Sequence, residues 1–97
     1  MLTGKAKEDF RVWLGEPVAF QNFDNIPELV KHSYLIKWFD HVGIFIIPDY
    51  NDVNHKFNYN LYFNPQQDDI YVRPIYNSRE EALNAGIEKA NEIYNQT

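Results

Sequence analysis

Ala6, Phe10, Trp13 and Leu14 fall at i, i+4, i+7 and i+8, the spacing of one helical face, and Lys5, Lys7, Glu8, Asp9 and Arg11 fill the positions between them. Thr3 is a residue type suited to cap such a helix. Gly15 at the C′ position and Pro17 beyond it predict the stop at about Leu14. The stretch 18–25 reads as a connector, with Phe20 and Phe23 tucked into the edge of the core. A second helix is predicted from Pro27, a residue suited to a first turn, with Asp24 or Asn25 as its cap. Leu29, Val30, Tyr34, Leu35, Ile36, Trp38 and Phe39 carry it to about Asp40. These apolar positions cover more than one face, so the second helix is expected to be the more deeply buried.

After the turn 41–43 the pattern changes period. Ile44 to Ile47 is a run of four β-favouring apolar residues, which predicts a central, well-covered strand. The polar loop 49–56 follows. Phe57, Tyr59, Leu61 and Phe63 then alternate with Asn58, Asn60 and Tyr62, the cleanest strand signal in the chain. Residues 64–69 form a turn around Pro65. A third strand is expected over Ile70–Tyr76, at a sheet edge because Pro74 carries no N–H. Ser78 and Glu81 have the spacing of a capping box, in which the Ser78 hydroxyl takes the Glu81 N–H and the Glu81 carboxylate returns to the Ser78 N–H. The helix they open places Leu83, Ile87, Ala90 and Tyr94 on one stripe, with Ala82, Gly86 and Ile93 beside it. Gly86 is read as permitting a close approach to the sheet. The order α-α-β-β-β-α predicts an α+β fold, one domain over residues 1–97, in which helices pack a three-stranded antiparallel meander.

Composition narrows the function classes. Of 97 residues 44% are hydrophobic and 16% aromatic, enough apolar mass for a core and against wholesale disorder. No cysteine is present, which removes disulfides, thiol nucleophiles and thiolate zinc sites. The longest apolar run, Val42 to Ile47, is far shorter than the roughly 20 residues of a bilayer span, and MLTGKAKEDF lacks a signal-peptide core. No membrane association is expected. Asn, with 11 residues, and Tyr and Phe, with seven each, are enriched, as AT-rich codon usage alone would produce.

Chemical motifs are sparse. His32, His41 and His55 show no i, i+4 pair, so the sequence places no metal site and reads all three as surface or half-buried side chains. Asp49, Asn51, Asp52 and Asn54 are oxygen-rich but break the calcium-loop pattern at Val53, Asn54 and Asn60, so a solvated turn is expected. The glycines are too scattered for a phosphate loop. Ser33 lies inside a helix, and Glu80, Glu81, Glu88 and Glu92 read as the wet face of the last one. No catalytic residue and no cofactor are predicted, and the chain is read as non-enzymatic.

Binding classes remain. If the Phe57, Tyr59, Leu61 and Phe63 face meets the helices, strand alternation turns Tyr62 outward, and Tyr71, Arg73 and Ile75 share that outer face. Aromatic side chains with an arginine make good interface chemistry. Tyr62, Tyr71, Arg73 and Ile75 are therefore the candidate patch for a protein partner or a second copy of the chain. The alternative is a nucleic-acid-associated protein using the sheet face or the last helix, since the ordering is also partly that of double-stranded-RNA-binding domains. Charge opposes it. The chain carries a net −5; residues 41–77 set Lys56 and Arg73 against Asp49, Asp52, Asp68 and Asp69, a net of −2, so no phosphate-neutralising stripe is visible.

The segments LTGKAKEDFRVWL (2–14), IPELVKHSYLIKWFDHVGI (26–44) and SREEALNAGIEKANEIYN (78–95) resemble a family of small uncharacterised proteins of gut Bacteroidetes and their phages or mobile elements. The resemblance implies a bacterial, cytoplasmic protein of a kind carried on mobile elements, and brings no activity, cofactor or catalytic residue with it. The last strand and helix are also similar to the end of HicB-type antitoxin domains, without the Pro-Gly-Cys turn of that type.

The charge distribution predicts that, at about 150 mM salt, micromolar protein leaves random duplex DNA and RNA unshifted in a gel. A shift with a steep salt dependence would contradict this reading.

Overall fold

The computed structural model describes residues 2–15, 23, 25–64 and 68–96. Pro17, Phe20, Asp24 and Pro65, singled out above, lie outside them. The elements are α1 (Gly4–Leu14), α2 (Glu28–His41), β1 (Ile44–Asn51), β2 (Lys56–Phe63), β3 (Ile70–Tyr71) and α3 (Arg79–Asn95). The order is the predicted α-α-β-β-β-α, and the strands pair antiparallel in chain order β1-β2-β3. No helix among the described residues is long and apolar enough to cross a membrane.

Helix α1 buries Ala6 and Phe10, half-buries Trp13 and Leu14, and ends where the Gly15 N–H donates to the Arg11 carbonyl at 3.1 Å. Thr3 occupies the N-cap position with extended backbone, but its hydroxyl makes no capping bond to α1. The cap comes from the far end of the chain. Asn95 Oδ1 accepts the Ala6 N–H at 2.8 Å while its Nδ2 donates to the Thr3 carbonyl at 2.8 Å. Asn91 Oδ1 accepts the Thr3 N–H at 2.9 Å, and its Nδ2 donates to Thr3 Oγ1 at 3.1 Å. These bonds satisfy donors that a helix start otherwise leaves open. Beside them Tyr94 donates a hydrogen bond to Asp9, and the Lys5 ammonium sits 5.2 Å from the centre of the Tyr94 ring. Burial, then the hydrogen bond to Asp9, push the Tyr94 hydroxyl up to about 12.

Helix α2 starts one residue later than its sequence suggests. Pro27 is the N-cap, not the first helical residue, its carbonyl accepts the Val30 and Lys31 N–H groups, and no side chain caps the helix. The helix does bury more than α1: Leu35, Trp38, Phe39 and also His32. Phe23 is buried as expected and meets Phe10 edge-on at 5.2 Å; Phe10 meets Trp38 at 5.8 Å, and Trp38 meets Tyr94 at 5.0 Å. This aromatic cluster joins α1, α2 and α3. Gly43, at φ 88°, turns the chain from α2 into β1, and a Cβ there would collide with the Asn64 carbonyl.

Two strands depart from expectation. Strand β1 is an edge, not the central strand, and runs on to Asn51, paired with Lys56. Its apolar run mixes two faces: Ile44 and Ile46 are buried, while Ile47 is 46% exposed. The alternating β2 is central. Strand β3 forms a ladder only at Ile70–Tyr71, not to Tyr76. The Val72 N–H still reaches the Tyr59 carbonyl at 3.3 Å, and pairing resumes at Phe57 and Tyr76. Arg73, Pro74 and Ile75 thus stand opposite Asn58 alone. The segment bulges where Pro74 has no N–H to give, and the Pro74 carbonyl is held by Asn54 Nδ2 at 3.2 Å.

Helix α3 opens as predicted, Ser78 Oγ accepting the Glu81 N–H at 3.1 Å. The Glu81 carboxylate returns to the Asn77 N–H at 3.0 Å, one residue before the expected Ser78. Ala82, Gly86, Ile87 and Ala90 are buried. A Cβ on Gly86 would lie 2.8 Å from Ile46 Cγ2 and 3.1 Å from Tyr59 Cγ, so the helix rests directly on the sheet. Ile44, Ile46, Tyr59 and Leu61 share one core with Leu35, Ile87 and Ala90. The shortest Cα extent is 17 Å, the depth of one helix layer on one sheet.

Ser78→Ala should lower the unfolding free energy by about 0.5–2 kcal/mol in a urea titration. Asn95→Ala should lower it by at least as much, although a polar residue in a last turn is ordinarily replaced within about 0.5 kcal/mol. A neutral Asn95→Ala would contradict the cap that α3 supplies to α1.

Candidate functional site: the open face of the sheet

The register assigns the two sheet faces. Directly opposite residues share a face. Ile44 with Phe63, Ile46 with Leu61, and Pro48 with Tyr59 therefore form the inner rows, beneath α2 and α3. The outer rows are Phe45 with Tyr62, Ile47 with Asn60 and Tyr71, Asp49 with Asn58, and Asn51 with Lys56. Tyr71 is 68% exposed, and Phe45 and Tyr62 are half-exposed. The Tyr62 and Tyr71 rings meet edge-on at 6.0 Å. The Tyr71 hydroxyl donates to Asp69 at 3.2 Å, and that bond raises its pKa above the usual tyrosine value. Asn58 Nδ2 donates to Asn60 Oδ1 at 3.3 Å along the same face. Asp49 and Lys56, one charge of each sign, are the charged residues of the outer rows of the two long strands.

Of the four residues the sequence nominates, the structure brings Tyr62 and Tyr71 together on this face. Arg73 and Ile75 are exposed, Ile75 at 63%, but they lie in the bulge, where strand alternation no longer assigns them to the outer rows. Phe45 and Ile47 take their place. Both were hidden inside the run 44–47. The alternation of β2, carried across a hairpin, is the signal that separates them from Ile44 and Ile46.

The sheet's edges are blunted while its face is open. The Asn64 N–H donates to the Gly43 carbonyl at 2.9 Å, which sets the phase of the ladder. Alternate residues of an edge strand bond inward, so Ile44, Ile46, Pro48 and Tyr50 turn their backbone groups to the free side of β1. Pro48 has no N–H, and the Tyr50 N–H is taken by Asp49 Oδ1 at 2.8 Å. The β3 side is shortened to two residues and then bulged. Proline, self-capping and bulges are the devices that prevent strand addition.

Other candidates are weaker. The 52–55 turn is organised by its own asparagines: Asn51 Oδ1 accepts the Val53 and Asn54 N–H groups, and Asn54 Oδ1 accepts that of Lys56. Leu29, Val30 and Tyr34 are exposed on α2, but Tyr34 meets Phe23 edge-on at 6.3 Å, next to chain outside the described residues. His41 and His55 are exposed as expected; His32 is buried, against expectation.

Comparison with protein-family models, with curated proteins and with solved structures found no match to this chain.

Proposed function

We propose that this chain is a small protein-interaction domain that acts by binding and self-associates through the open face of its sheet. The observation that carries the reading is the uncovered row of Phe45, Ile47, Tyr62 and Tyr71 on a sheet whose edges are blunted. Isolated exposed apolar residues need no explanation, but a contiguous group does. Edges interrupted by Pro48, the Asp49 cap on Tyr50 and the bulge favour association through the face. Asp49 and Lys56 balance in number on the outer rows, and Asp69 beside Tyr71 adds one negative charge, so the face carries only a small part of the chain's net −5 and two copies can meet there with little like-charge opposition. The same charges favour a protein surface over a phosphate backbone.

Size limits the affinity. The two eight-residue strands, with β3 beside them for two residues, present a face of roughly 300 Å² in projection, well under the about 800 Å² per partner of a standard interface. The self-association is therefore weak and concentration-dependent.

Sedimentation velocity from micromolar to millimolar protein should show a monomer passing to a dimer. The double variant Ile47→Lys, Tyr71→Ser should stay monomeric and keep its unfolding free energy within about 1 kcal/mol, since both side chains are exposed. A wild type that is monomeric throughout, or a folded variant that still dimerises, would overturn the proposal.

A further inference from the structure

The outer rows of the sheet are graded along the strands. Phe45 with Tyr62, and Ile47 with Asn60 and Tyr71, make one end apolar and aromatic; Asp49 with Asn58, and Asn51 with Lys56, make the other polar. The two charges at the polar end are unlike. They stand on different strands in adjacent rows, diagonal neighbours about 7–8 Å apart. Among the described residues neither forms an ion pair within its own chain. The Lys56 ammonium donates to the neutral Asn77 Oδ1, and Asp49 Oδ1 accepts the Tyr50 N–H. That leaves Asp49 Oδ2 and two ammonium hydrogens of Lys56 for a group lying above the face.

The gradient limits how two copies can meet there. Identical faces pressed together are related by a two-fold axis lying in the plane between them. An axis across the strands reverses the gradient. Centred on the face, it sets Ile47 over Asp49 and takes a carboxylate out of water against an apolar side chain; displaced to the apolar end, it overlaps only two of the four rows. An axis along the strands keeps row over row, aromatic on aromatic and polar on polar, with the strands of the two sheets within about 30° of each other. Set on β2, that axis brings Lys56 against its own copy. Set between β1 and β2, it lays β1 of each copy over β2 of the other. We infer that two copies pack in this last arrangement, Asp49 of each meeting Lys56 of the other in two symmetric ion pairs at one end while the Phe45 and Tyr62 rings meet at the other. The arrangement rests on the self-association proposed above and assigns it an orientation. Asp49 lies one row, about 7 Å along the strand, from the opposed Lys56, a span that the lysine side chain covers. Such pairs fix register and exclude other partners more than they add affinity.

The test is a charge exchange on the full chain, read by sedimentation equilibrium. Asp49→Lys alone and Lys56→Asp alone each turn both unlike pairs into like ones and should weaken self-association at least about tenfold. Asp49→Lys also gives up the bond to the Tyr50 N–H; Lys56→Asp keeps it, so the two variants separate the ion pair from that bond. An equimolar mixture of the two variants restores both unlike pairs and should form a heterodimer with an affinity close to that of wild type, which also shows both variants to be folded. The double variant Asp49→Lys, Lys56→Asp should recover self-association without a mixture. A wild type that stays monomeric overturns the arrangement together with the self-association it rests on. A wild type that dimerises while both single variants dimerise equally well, or while neither the mixture nor the double variant regains affinity, overturns the arrangement and leaves the face as the interface.

Discussion

The contact of Gly86 with Ile46 and Tyr59 sets the layer arrangement on which the rest of the structure depends. Without a Cβ, α3 settles onto the inner rows of β1 and β2 at a distance that any larger residue would prevent. That approach brings Ile87 and Ala90 into one core with Leu61 and Ile44, and Ala82 and Gly86 are held out of water. The helical conformational penalty of glycine, about 1 kcal/mol relative to alanine, is offset by that packing. A single helix layer then satisfies one face of the sheet, and the other face is left to Phe45, Ile47, Tyr62 and Tyr71.

Helix α3 also fixes the rest of the helix layer. Its last turns carry Asn91, Tyr94 and Asn95, which bind Thr3, Ala6 and Asp9 and so dock α1 by its first turns. From there Phe10 reaches Phe23 and Trp38. Contacts between residues about ninety positions apart replace the local cap that α1 lacks. Its position therefore depends on α3 being formed, and its stability is a tertiary property rather than one of helix propensity.

The elements with one strong period were legible in the sequence. The 3.6-residue stripes of α1 and α3, the alternation of β2 and the Ser78 cap all stand where their residues predict. Four features were not legible, each for a physical reason. The run 44–47 looks alike whether both faces of a strand are buried or one is, so it predicts a central strand and does not single out Phe45 and Ile47 as outward-facing. The bulge at 73–75 depends on where Tyr76 finds Phe57, a pairing no local pattern encodes. The asparagines that cap α1 carry no signal of their partner in a chain already rich in asparagine. Burial of His32 follows from its place one turn ahead of Leu35 and two turns ahead of Phe39, in a helix whose apolar positions cover more than one face, so the sequence marked no single buried stripe on which to place it.

The central claim is that α3 lies against the sheet at Gly86, and Gly86→Ala tests it most directly through its unfolding free energy in a denaturant titration. In a helix position with space beside it, alanine stabilises by about 1 kcal/mol over glycine. Here the added methyl would stand 2.8 Å from Ile46 Cγ2, and overpacking of this kind costs about 1–3 kcal/mol. The account predicts a variant that is less stable than the wild type despite its better helix propensity. A variant stabilised by about 1 kcal/mol, the full propensity gain, would show that the helix does not touch the sheet there and would contradict the one-sided packing on which the open face rests.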